Sequence, residues 1–173
     1  MNKHGEIMFS EISETPDILA KLIATDFFTK ELETVLASAK IKSILILARG
    51  TSDNAAHFLK YLVETQLGLP CGLTSPSSVS IYDSKLKYDN TLVVAISQSG
   101  KSTDLVEFAK AAKHAGAKLV SMTNDESSPL ATNADFHISL QAGPELAVAA
   151  TKSYSAQLDR KSTRLNSSHL GIS

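Results

Sequence analysis

Five short apolar runs, at Ser43 to Ala48, Cys71 to Thr74, Leu92 to Ser97, Lys118 to Thr123 and Phe136 to Leu140, restrict this chain more than any other feature. Most of the segments between them have helical period. Ser43-Ile44-Leu45-Ile46-Leu47-Ala48 is apolar almost throughout rather than at every second position, which describes a strand covered on both faces. Strands alternating with helices at this spacing imply βαβ units and a parallel sheet. Right-handed crossovers leave few doubly wound orders. The expected fold is α/β, a three-layer αβα sandwich with a five-stranded sheet in the order 2-1-3-4-5. That order sets strands one and three side by side, sends their helices to opposite faces, and opens a crevice at their carboxyl ends.

The helices carry their own punctuation. Thr15-Pro16 reads as N-cap and first helical residue of a helix running to about Ser38. Leu19, Leu22, Ile23, Phe27, Leu32, Val35 and Leu36 form its apolar side. A helix from Ser52 to Leu67 is stopped by Gly68 and Pro70, and one capped by Ser102 runs to Gly116. Residues 124–133 read as a loop with a turn at Pro129, and a last helix begins near Ala147 or Thr151. The expected organisation is an N-terminal helical segment, 1–40, before a single domain, 41–158.

The exits of strands one and three are unusually polar. Ser97-Gln98-Ser99-Gly100-Lys101-Ser102 follows strand three, and Arg49-Gly50-Thr51-Ser52-Asp53 follows strand one. Each opens a helix, where unpaired N–H groups and the helix dipole favour an anion. Thr51, Ser52, Ser97, Gln98, Ser99 and Ser102 can surround one phosphate, and hydrogen bonds to a charged acceptor are roughly twice as strong as neutral ones. Ser102 is equally readable as a plain helix cap. Arg49 and Lys101 can each meet an anion or serve the loop. Glu145 reads as a loop acid near the crevice. A relaxed P-loop pattern, Ala95 to Ser102, has Ala in place of the first Gly and still reads as strand at Ala95-Ile96, so nucleotide hydrolysis is disfavoured.

Composition excludes other classes. The net charge of -1 and the lack of a basic stripe argue against nucleic acid. No apolar run is long enough to span a membrane, and residues 1–10 lack a signal-peptide core. The single Cys71 fits a reducing cytoplasm and reads as a packed, inert thiol. His4, His57, His114, His137 and His169 show no metal-ligand spacing. No cofactor is expected. Residues 160–173 lack an acidic residue and any periodicity, and are expected to be a non-native read-through tail.

The stretches Gly50-Thr51-Ser52, Ser97-Gln98-Ser99-Gly100 and Gly143-Pro144-Glu145 through Val148-Ala149-Ala150-Thr151-Lys152 resemble the SIS (sugar isomerase) family. Within it the chain is similar to the SIS-type glucosamine-6-phosphate deaminases and to the isomerase half of glucosamine-6-phosphate synthase. Lys101 departs from the synthase pattern, which has an acid there. The resemblance implies that the six residues above hold a sugar phosphate and that Val148 and Ala150 line the sugar. It implies a fragment of an enzyme turning glucosamine-6-phosphate into fructose-6-phosphate plus ammonia, with proton-transfer groups largely in a second domain. The full-length protein is expected to be a homodimer. The alternatives are an aminotransferase-type isomerase domain and a non-catalytic sugar-phosphate sensor.

Overall fold

The computed structural model describes residues 3–25, 30–38, 40–147 and 149–162. Five strands, β1 (Ser43–Leu47), β2 (Cys71–Leu73), β3 (Thr91–Ile96), β4 (Lys118–Thr123) and β5 (Phe136–Ser139), form one parallel sheet in the order β2-β1-β3-β4-β5. The expected order is the observed one. Every residue of β3 is buried, as a strand flanked by strands and covered on both faces must be.

Alternate side chains sort into two cores. Ile44, Ile46, Leu92, Val94 and Ile96 pack with Leu22 of α1 (Lys3–Ala24), Leu32 of α2 (Lys30–Ser38), Ala56 and Leu59 of α3 (Thr51–Leu62), and Ala156 of α7 (Lys152–Ser162). Val93, Ala95 and Leu119 turn the other way. They meet Leu105, Phe108, Ala109 and Ala112 of α5 (Thr103–His114) and Leu130 of α6 (Pro129–Asn133). Burying a side chain such as Phe108 contributes about 1.5–3 kcal/mol. The short α4 (Ser77–Ser80) follows β2. A π-helical turn, Val63–Leu67, extends α3 to Gly68, whose φ of 64° ends it.

Several expectations change. The helix expected from Thr15 to about Ser38 is described as two, α1 and α2. Pro16 lies inside α1 rather than at its start, and Thr15 is no cap. Glu11 and Glu14, in the turns before Pro16, tie the helix to Ala147 and Lys152. Residues 129–133 are helical, with Ser128 accepting from the Ala131 N–H at 3.3 Å. Arg160, the first residue of the expected tail, is buried in α7, and one of its guanidinium N–H groups donates to the Thr25 carbonyl. Phe27 and residues 163–173 lie outside the described residues.

Candidate phosphate site at two strand exits

The pairing of β1 with β3 sets Leu47 beside Ala95, so the two strands end together and their exit loops are neighbours. Gly50 occupies the N-cap of α3 at φ 60° and ψ −134°, without a side-chain cap. A Cβ there would meet nothing within 4 Å, so backbone conformation alone selects glycine. Thr51 is exposed and Ser52 is buried in the first turn of α3.

The β3 exit is built around Gly100. Ser97 is buried and its Oγ accepts from the Gly100 N–H at 3.1 Å, while Ser99 Oγ accepts from the Lys101 N–H at 3.3 Å. Gly100 has φ +65°, and a Cβ on it would lie 2.7 Å from Ser128 Cβ and 3.0 Å from Thr123 Cγ2. The crowding comes from the protein, from the start of α6 and the end of β4, rather than from the ligand side. Ser102 takes the N-cap position of α5 but makes no side-chain cap bond, so its hydroxyl is not spent on the helix.

The hydroxyls share a bonding pattern. Ser52 Oγ accepts from Gln157 Nε2 at 3.1 Å, as Ser97 and Ser99 accept from backbone N–H groups. A hydroxyl has one proton to donate and two lone pairs to offer. Each of the three therefore receives a bond from the protein and keeps its own proton for another acceptor. The nearby cations are matched within the protein. Arg49 Nε lies 3.3 Å from Asp104 Oδ2, and Lys101 Nζ lies 2.9 Å from Asp125 Oδ2. Hydrogen bonding from Ser127, then from Lys101, holds the Asp125 carboxyl down to about 2. The loops thus present neutral donors between neutralised charges.

The segment after β5 is anchored to the same loops. Asn124 donates its backbone N–H to the Gln98 carbonyl at 3.0 Å, and its side chain joins Ala142 and Gly143. Ala150 lies half-buried farther along this segment, and Val148 falls outside the described residues. Glu145 is no free acid in the crevice. Its carboxylate accepts from Thr151 N–H at 2.8 Å, from Thr151 Oγ1 and from Ser153, holding the start of α7. Buried Glu11 of α1 accepts from the Leu146 and Ala147 N–H groups, and Glu14 pairs with buried Lys152 at 2.6 Å. Sequence reasoning missed Glu11, Glu14 and Gln157, whose partners are 135, 138 and 105 residues away. Among the described residues no group of three or more His, Cys, Asp or Glu side chains is placed to hold a metal, and no helix is long and apolar enough to cross a membrane.

The SIS domain profile matches residues 36–159. The glutamine--fructose-6-phosphate aminotransferase of Streptococcus mutans is 34% identical over 157 residues, which are 87% of this chain and 26% of that protein. A candidate phosphosugar isomerase of Silicibacter pomeroyi superposes with a TM-score of 0.81 at 38% identity, over 92% of this chain and 49% of its own. The C-terminal domain of glucosamine-fructose-6-phosphate aminotransferase from Francisella tularensis gives a TM-score of 0.82 at 29% identity, over 92% of this chain and 46% of its own. The chain therefore spans about a quarter of the curated relative and about half of each solved structure.

Proposed function

The chain belongs to the SIS domain family, and from that footing we propose that it binds the phosphate ester of a sugar between the exits of β1 and β3. One observation carries the reading. Ser52, Ser97 and Ser99 each have a lone pair filled by a protein N–H and a proton left to give. Aimed with the first N–H groups of α3 and α5, such donors match the oxygens of a phosphate dianion. Thr51, Gln98 and Ser102 complete the ring, and Ala150 and Val148 belong to the wall that meets the sugar.

The parent reaction is isomerisation of a hexosamine phosphate between aldose and ketose forms with loss of ammonia. A proton must move between C1 and C2, which requires a positioned acid–base group. Glu145 is occupied as an acceptor for the start of α7, so this segment contributes binding and leaves proton transfer to another domain. Cytoplasmic residence and pairing of two full-length copies belong to the same proposal. The lone, buried Cys71 supports the first.

A thermal-shift panel tests the reading, because a ligand that binds only the folded state raises Tm. Glucosamine-6-phosphate and fructose-6-phosphate raise it, and ATP does not. Ser97→Ala weakens the sugar phosphates by about 10-fold or more, the usual worth of a bond to a charged group. A response to ATP alone, or to none of the three, refutes the proposal.

A further inference from the structure

We propose that Gln157 is a positioning residue of this site, fixing the direction in which the Ser52 hydroxyl points; the inference rests on the phosphosugar reading above. Gln157 sits in α7 and is 1% exposed, so it touches no ligand. Its Nε2 donates to Ser52 Oγ at 3.1 Å, across 105 residues of sequence. Its Oε1 is buried with no hydrogen-bond partner among the described residues.

The amide has two possible orientations, and each leaves one end bare. With Oε1 toward Ser52, the amide would accept the hydroxyl proton, and the serine would have none for an anion. With Nε2 toward Ser52, as found, one lone pair of Oγ is filled and the proton is directed elsewhere. The second orientation is the one that makes Ser52 a donor at the first turn of α3. Ser97 and Ser99 obtain the same result from backbone N–H groups. Ser52 lies within a helix and obtains it from a side chain on a different element.

The test measures dissociation constants of the full chain for glucosamine-6-phosphate and for inorganic phosphate by calorimetry, with Tm recorded for each variant. Gln157→Met keeps side-chain length and packing but loses the donor. Gln157→Glu keeps shape but can only accept. Both ligands weaken by about 10-fold in Gln157→Met and by more in Gln157→Glu. In a Ser52→Ala background, Gln157→Met adds less than about 2-fold, because the residue it acts through is gone. A structural role alone would leave the Gln157→Met loss undiminished in that background, and that result overturns the inference. So do Gln157 variants that fold and bind like the parent. A parent chain that binds neither probe sinks the phosphosugar reading and this inference together.

Discussion

Gly100 meets two demands that a side chain would violate. Its φ of +65° costs an L-residue about 1–2 kcal/mol, and the Ser128 side chain fills the place of a Cβ. Gly100→Ala is expected to lower stability by about 2–4 kcal/mol in urea denaturation, strain and overpacking adding together. A change within about 0.5 kcal/mol would show that the α6 junction yields. Cys71 makes a second residue-scale prediction. Burial, then the nearby Glu64 carboxylate, pushes its thiol up from 9.0 to about 11. Below pH 9 the thiol is protonated in both states and stability is intact. Between pH 9 and about 11 the unfolded chain sheds the proton first, so stability falls on the order of 1 kcal/mol per pH unit. Cys71→Val is expected to flatten that alkaline limb, and iodoacetamide to label the native thiol far more slowly than the unfolded one.

At the scale of elements, α1 is fastened to the segment between β5 and α7. Glu11→Ala removes the acceptor for two backbone N–H groups and is expected to cost about 1–3 kcal/mol. Hydrogen exchange at Leu146 and Ala147 should quicken with it, and unchanged exchange there would refute the tie. Glu14→Ala, which strands the buried Lys152 ammonium, should destabilise more than Lys152→Met. These ties also explain what sequence could and could not reveal. The strand order was legible because Ile44 to Leu47 and Leu92 to Ile96 are apolar on both faces, which marks central strands. Ser128-Pro129 carried a cap signal that a turn reading passed over. Thr15-Pro16 carried the same signal, yet α1 runs through it. What sets the Thr15-Pro16 case apart is Glu11 and Glu14 reaching residues some 135 positions away, and no local pattern encodes that. The site divides the same way. Thr51 to Ser52 and Ser97 to Ser102 were readable as polar strand exits, whereas Gln157 acts only through the fold.

For the whole molecule, packing reaches at least Arg160. Arg160 is buried and bonded to Thr25, so the change of character at Arg160 does not coincide with the end of packing. A chain ended after Ser162 keeps every described residue of α7 and serves as the reference. Ending it after Leu158 removes Arg160 and should lower Tm by several degrees, about 1–2 kcal/mol for a domain of this size. Equal melting of the two truncated forms would return Arg160 to the tail.

The pairs Glu11 with Ala147, Glu14 with Lys152 and Thr25 with Arg160 advance in step along both partners. On a ribosome α1 thus waits for a clamp that lies some 135 positions later in the chain. Until those residues emerge, the stripe of Ile18 and Leu22 has no α7 to lie beside. Docking of α1 therefore follows the synthesis of α7, and a nascent chain halted before Lys152 would display that helix to chaperones.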